Sequence, residues 1–181
     1  MKTKLWSGIL VGGLFLAAGQ LAISVGDDGE GTAKGGLAPV ANALYAKECG
    51  SCHFAYQPGL LPAASWKKIV GGLSDHFGDN AELAPQDQKE IAAYLETNAA
   101  DRAANERSAK VMRSLGGKEP PTRITEVPYI QRKHQEIPAR LIRDNPEVKG
   151  LSHCSACHTK ADRGIYHESS VIIPGYGRWD D

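Results

Sequence analysis

The pentapeptide Cys-x-x-Cys-His occurs twice, at residues 49–53 and 154–158, and the two copies use all four cysteines of the chain. This spacing is the attachment signal for c-type haem, in which two thiols bind one porphyrin and the histidine binds its iron. Two complete signals with no cysteine left over predict two covalently bound haem c groups. The residues predicted to hold them are Cys49, Cys52, His53, Cys154, Cys157 and His158.

Three other interpretations of the cysteines explain less of the pattern. A disulfide framework gives no reason for a histidine after each pair. Zinc sites also use Cys-x-x-Cys pairs, but their pairs usually lie much closer together than Cys52 and Cys154 do. A thioredoxin-type redox motif needs a strand followed by a helix, whereas these motifs lie among predicted short helices and loops.

The amino terminus has the pattern of a secretory signal. Two lysines precede an apolar run from Leu5 to about Val25, and such a run after a short basic segment is typical of signal peptides. Residues 1–24 are therefore predicted to be a signal peptide. The run is also about long enough to span a bilayer, so an uncleaved anchor is the alternative. Both interpretations place the rest of the chain outside the cytoplasm, and the predicted location is the periplasm.

Charge excludes one class of partner. The formal net charge of the whole chain is zero, and removal of residues 1–24 takes away Lys2 and Lys4 and no acid, so the charge becomes 0 − 2 = −2. The sequence contains no extended stripe of basic residues, so nucleic acid is not an expected partner. No Ser–His–Asp, P-loop or dinucleotide pattern is present either.

The fold class predicted from the pattern is mostly α. A flexible leader over 25–38, rich in Gly, Asp and Thr, precedes two units, 39–117 and 118–181. Helices are predicted from Pro39 into Cys49, over 65–77, from Pro85, over 102–115, over 129–134 and over 138–143, with an irregular tail at 172–177. The first unit resembles a helical haem domain. The second is small and irregular, and units of that size usually need a staple, which its haem would supply.

The motif histidines His53 and His158 are predicted to bind one face of each iron, and the sixth ligand decides the chemistry. Met1 belongs to the predicted signal and Met112 lies inside a predicted helix, so histidines are the better candidates. His76 stands just before the helix from Pro85, where small monohaem cytochromes c carry their distal ligand. It is predicted to bind the first iron.

For the remaining histidines, spacing in the sequence does not decide whether they bind an iron. His134 lies in a basic cluster, and its position allows both a ligand and a solvated residue. His153 is tethered directly to Cys154, which prevents it from reaching the far face of its own haem. His167 follows the second motif closely. It is expected either to be exposed or to contact an iron-binding residue without binding the iron itself.

Several longer strings carry a resemblance. They are YAKECGSCHFAYQPGLLP at 45–62, DHFGDNA at 75–81, RITE at 123–126 with RKH at 132–134, and IPGYG at 173–177. Together they resemble the periplasmic dihaem cytochrome c family over nearly the whole mature chain.

The resemblance implies a class-I-like first domain, an unusual second domain and bis-histidine ligation of both haems, with His134 as the distal ligand of the second iron. It also implies a soluble electron donor. The implied acceptor is a small oxygen-binding monohaem cytochrome, and a membrane cytochrome b is an implied donor.

Two imidazoles on each iron leave no position for a substrate. Two low-spin, low-potential haems that pass single electrons are therefore expected, in a protein that is not an enzyme. The alternatives are a dihaem peroxidase-like enzyme or a gas sensor, which both need an open iron, and the electron-transfer subunit of a periplasmic nitrate reductase.

Overall fold

The computed structural model describes residues 36–179 as short helices joined by turns, with one small hairpin near the end. The helices are α1 (Ala43–Cys49), α2 (Ala63–Gly71), α3 (Pro85–Thr97), α4 (Glu106–Leu115), α5 (Pro128–His134), α6 (Ala139–Ile142) and α7 (Cys154–Cys157), and the strands are β1 (Ile172–Ile173) and β2 (Gly177–Arg178). The mostly α fold class is therefore confirmed. The predicted signal peptide and residues 25–35 of the predicted leader lie outside the described residues.

Helix α1 begins four residues later than predicted, because a side chain caps it there. Asn42 Oδ1 accepts a hydrogen bond from the Tyr45 amide at 2.7 Å, which satisfies one of the free amides of the first turn. Pro39 precedes the helix rather than starting it. Helix α3, in contrast, begins at Pro85 as predicted.

Helix α4 also starts behind an asparagine cap. The prediction began it at Arg102, but Asn105 Oδ1 accepts from the Ser108 amide at 2.8 Å, and the helix proper begins at the next residue after the cap. It ends where predicted, at Leu115, and the next residue, Gly116, has a φ of +57°, the left-handed conformation that favours glycine.

The helix predicted over 65–77 is wrong in its second half. Helix α2 ends at Gly71, a 3₁₀ turn follows over Leu73–Asp75, and the chain then turns sharply at His76. The apolar period continues beyond the glycines, but Gly71 and Gly72 favour a helix end more than its continuation. This early break places His76 in a turn instead of on a helix.

The tail predicted to be irregular contains an antiparallel hairpin. Strand β1 pairs with β2 through Ile172 opposite Arg178 and Ile173 opposite Gly177. The turn between the strands includes Gly175 with a φ of +71°. Side-chain alternation over two residues is too short to predict a strand, which explains the difference.

A large apolar core lies among the first helices. Helices α2 and α3 pack against each other and α1 packs against α3, while α4 packs against α5. The buried residues of this first core are Tyr45, Leu61, Trp66, Val70, Leu73, Ile91, Leu95, Ala99, Ala100, Val111 and Val127. Val127 belongs to the predicted second unit, so this core continues past Gly117. The division between the two units stays a prediction.

A second, smaller core lies near the second motif. Its buried residues are Ile142, Val148, Val171 and Ile173. The segment before α1 also reaches this half of the chain, since the Leu37 amide donates to the Gly164 carbonyl at 2.9 Å and Leu37 is buried. Gly164 has a φ of +72°, and a Cβ there would collide with the Leu37 carbonyl oxygen.

Within residues 36–179, no helix is both long and apolar enough to cross a membrane.

Candidate haem sites

Each motif is presented by the end of a short helix. Cys49 is the last residue of α1, and Cys52 and His53 follow in an exposed turn. The second motif forms α7 itself, and His158 caps its carboxyl end. In the second copy the helical turn brings the two cysteines to the same side, and in both copies the histidine follows directly after the second cysteine.

One continuous cavity joins the two motifs. Its volume is about 1280 Å³, which exceeds the roughly 300–1000 Å³ typical of a site for one drug-sized ligand. Both motifs and apolar side chains from both cores line it. The cavity therefore has the size and lining for two large, flat, apolar groups.

The first motif faces a second histidine across this cavity. The His53 and His76 ring centroids lie 6.1 Å apart, with an interplanar angle of 18°. His53 Nδ1 lies 2.9 Å from the Phe54 carbonyl oxygen, which suits Nδ1–H as the donor and leaves Nε2 free to bind a metal. His76 is held in its turn by its amide, which donates to the Asp79 carbonyl at 2.7 Å.

The second motif has the same kind of partner. The His134 and His158 centroids lie 6.0 Å apart, with an interplanar angle of 75°. His134 is the last residue of α5, and its Nδ1 lies 2.8 Å from the Ile130 carbonyl oxygen. His158 differs, because its Nδ1 is buried and has no hydrogen-bond partner within the described chain.

Both separations fit a metal held between two imidazoles. A metal-bound imidazole nitrogen lies about 2.0 Å from the metal and about 1.1 Å from the centre of its own ring, given ring bonds of about 1.33 Å. Two such ligands on opposite sides place their ring centres about 6.2 Å apart. The observed values of 6.1 Å and 6.0 Å agree with that geometry.

The electrostatic surroundings keep these rings neutral. Burial, with smaller effects from His134 and Arg107, lowers the pKa of His158 to about 4. Burial and the neighbouring His53 also lower the pKa of His76. A neutral imidazole is the form that binds a metal, so both rings have the required protonation state near pH 7.

The thiols do not have the character of a redox dithiol. Burial raises the pKa of Cys49 to about 11, with Glu48 and Cys52 adding to the shift, and burial raises the pKa of Cys154 to about 11 as well. Reactive cysteines need a lowered pKa. In residues 36–179 the four cysteines form no disulfide, and no three His, Cys, Asp or Glu side chains are grouped as ligands for a bare ion. The disulfide, zinc and dithiol interpretations find no support here.

The other candidate ligands lie apart from these pairs. His153 and His167 are exposed residues at the cavity wall, and no ring contact joins either to another described histidine. Met112 packs against the first core instead of lining the cavity. The aromatic residues Tyr56, Trp66 and Trp179 also line the cavity.

Sequence reasoning missed Gln57, Tyr166 and Arg107. Gln57 is fully buried, and Tyr166 packs its ring 5.2 Å from that of His158. The Arg107 guanidinium lies 5.5 Å from the Tyr166 ring centre. Gln57 lies in the string at 45–62 and Arg107 in the helix predicted over 102–115, but neither pattern indicates which distant residues these side chains contact. Tyr166 lies outside the predicted helices and the quoted strings.

Paired cysteines, a following histidine and an opposing imidazole at each end of one apolar cavity define a c-type cytochrome with two haem sites. The family profile described as "Dihaem cytochrome c" matches residues 45–166. The chain belongs to the dihaem cytochrome c family, and it accordingly binds two covalently attached haem c groups.

Solved structures of similar proteins agree with this assignment. The chain is 45% identical to a diheme cytochrome type c from Shewanella baltica OS155, with a TM-score of 0.64 over 77% of this chain and 98% of that one. A diheme cytochrome c from Rhodobacter sphaeroides is 38% identical, with a TM-score of 0.64 over 71% of this chain and 99% of that one. No curated protein sequence matches the chain. Family membership is consistent with a role in electron transfer.

Proposed function

We propose that this protein carries single electrons between redox proteins in the periplasm, through two haems that are each bound by two histidines. His53 and His76 would hold the first iron, and His134 and His158 the second. The single observation that carries the proposal is the pair of histidine separations, 6.1 Å and 6.0 Å, across one cavity. When bound, haem supplies reversible one-electron oxidation and reduction.

The residues define what such a site excludes. Imidazoles on both sides leave no coordination position for oxygen, peroxide or nitrite, so the chain is proposed to act as a carrier and not as an enzyme. Nitrogen ligands on both sides also favour a lower reduction potential than a histidine–methionine pair. The thiols of Cys49, Cys52, Cys154 and Cys157 would anchor the two groups by thioether bonds.

The finer role rests on the family resemblance. The proposed electron acceptor is a small oxygen-binding monohaem cytochrome, and the proposed donor is a membrane cytochrome b. Mass spectrometry of the protein purified from its native host tests the location. A mature chain that begins near residue 25 supports export with cleavage, whereas a retained Met1 contradicts the cleaved signal.

Carbon monoxide binding tests the ligand set. The ferrous wild-type protein is expected to show no prompt optical shift, because both irons are closed. His76→Ala and His134→Ala are each expected to open one iron and produce a shift at one haem. His167→Ala is the matched control, since this histidine lines the same cavity without facing another imidazole, and it should behave as wild type.

Each contrary result has a distinct meaning. A prompt shift in wild type means that an iron is open, which favours the enzyme or gas-binding alternatives. A variant at residue 76 or 134 that binds no carbon monoxide refutes that residue as a ligand. Stable co-purification with a large molybdenum subunit would support the nitrate reductase alternative.

A further inference from the structure

Two adjacent residues shortly after the first motif, Tyr56 and Gln57, form hydrogen bonds on both sides of the second motif. The Tyr56 hydroxyl donates to the Ser152 carbonyl at 2.6 Å, two residues before Cys154. Gln57 Nε2 donates to the Ala161 carbonyl at 2.5 Å, three residues after His158. We call Tyr56 and Gln57 the clamp.

The clamp is also connected to the motif histidine of each site. The Tyr56 ring lies 5.1 Å from the His53 ring. On the other side, Gln57 Oε1 accepts a hydrogen bond from the Tyr166 hydroxyl at 2.5 Å, and the Tyr166 ring packs 5.2 Å from the His158 ring. A continuous series of contacts therefore runs from one motif histidine to the other.

Burial makes these hydrogen bonds specific. Gln57 is 0% exposed, and a buried amide that loses its hydrogen-bond partners destabilises the fold because it cannot turn to water instead. Both ends of its side chain are satisfied, one by a backbone carbonyl and one by a hydroxyl. Such a fully satisfied buried polar group restricts the local structure to one arrangement.

His158 depends on this arrangement more than His53 does. His53 has a backbone carbonyl near its Nδ1, whereas His158 Nδ1 has no hydrogen-bond partner among the described residues. Without that bond, the orientation of the His158 ring is set by packing, and Tyr166 is the aromatic ring that packs against it.

We propose that Gln57 is a positioning residue, which acts through Tyr166 to set the plane of the His158 imidazole and, through Ala161, the placement of the second haem relative to the first. This inference rests on the proposed bis-histidine ligation. The two histidine pairs differ in interplanar angle, 18° against 75°. The anisotropy of a low-spin ferric haem signal in electron paramagnetic resonance depends on that angle, so the two haems should give separate signals.

The test compares three variants. Gln57→Leu removes both side-chain hydrogen bonds, and Tyr166→Phe removes one hydroxyl and keeps the ring. Ser65→Ala is the matched control: Ser65 is also fully buried, its hydroxyl donates to the Pro121 carbonyl at 2.7 Å, and neither residue lines the cavity. The measurements are the ferric resonance spectrum, the split Soret circular dichroism of the two porphyrins, and the thermal midpoint.

All three variants are expected to lower the thermal midpoint. Gln57→Leu and Tyr166→Phe should also shift the resonance signal of one haem, leave the other unchanged, and alter the Soret couplet. Ser65→Ala should leave both spectra as in wild type. The proposal is overturned if Gln57→Leu and Tyr166→Phe change the spectra no more than Ser65→Ala does. If Gln57→Leu fails to fold, Tyr166→Phe decides alone.

Failure of the underlying ligation would look different. High-spin signals or prompt carbon monoxide binding in wild type would refute the bis-histidine assignment itself. Closed, low-spin irons in wild type with unaltered spectra in the variants would refute only the positioning role of Gln57.

Discussion

The two halves of the molecule bury their apolar residues in different ways. In the first core, Val111, Val127, Ala99 and Ala100 are buried away from the cavity, where helices pack directly on one another. All four buried residues of the second core line the cavity. The first core therefore has a part that needs no cofactor, whereas the second is completed by the group that the cavity holds.

Local structure follows the same division. The first half, residues 36–134 with helices α1 to α5, contains helices of seven to thirteen residues, and asparagine side chains cap two of them. The second half is residues 135–179. Helices α6 and α7 have four residues each and no side-chain cap. Short helices are marginal by themselves, so the second half relies on its cofactor and on contacts with the first.

The largest effect is expected when the two cysteines that attach one haem are replaced, one haem at a time. Replacing both Cys154 and Cys157 with serine is expected to leave the second half unfolded, because four buried residues cannot stabilise it without the cofactor. The same change at Cys49 and Cys52 should retain more helical structure. Far-ultraviolet circular dichroism and limited proteolysis measure the outcome. A native-like spectrum without new cleavage after α5 in the first variant would contradict the expectation.

A smaller test compares two buried valines. Val111→Ala and Val148→Ala each remove two methyl groups from a buried site and should each cost about 2 kcal/mol in the free energy of unfolding. Val111 is remote from the cavity and Val148 lines it. Only Val148→Ala should therefore also change the haem absorption spectrum. Equal spectral changes in both variants would show that the two cores do not differ in this way.

How much the sequence predicts also differs between the halves. The attachment motifs are local patterns, and helix α3 is indicated by Pro85 and by its apolar period. The sequence alone therefore predicts both. The sequence does not predict the early end of α2, because the apolar pattern continues beyond Gly71 and Gly72. His134 and His158 are 24 positions apart in the sequence, with only the two short helices α6 and α7 between them, and spacing alone does not predict that they meet. The contacts of Gln57 depend entirely on tertiary structure.

A third test concerns the capped helices of the first half. Asn105→Ala should lower the free energy of unfolding by about 1 kcal/mol, because the Ser108 amide loses its side-chain acceptor. Asn105→Asp retains an acceptor oxygen and is the matched control. Chemical denaturation measures both. If Asn105→Ala and Asn105→Asp are equally stable, the cap at 2.8 Å contributes nothing, and the contrast in local structure loses that support.

The smallest effect is expected at an exposed ion pair on α4. Lys110 Nζ lies 2.7 Å from Glu106 Oε1, and this contact lowers the pKa of Glu106. The pair therefore stabilises the fold fully above the ordinary pKa of 4.5, and this contribution is lost as the pH falls through the lower value of the folded state. Lys110→Gln should lower the thermal midpoint slightly at neutral pH and low salt, and not at about 1 M salt, where the screening length is about 3 Å. Arg123 Nε and Glu126 Oε1, which lie before α5, are 4.0 Å apart, so Glu126→Gln should have a still weaker effect. A larger shift of the thermal midpoint at residue 126 than at residue 110 would contradict this order.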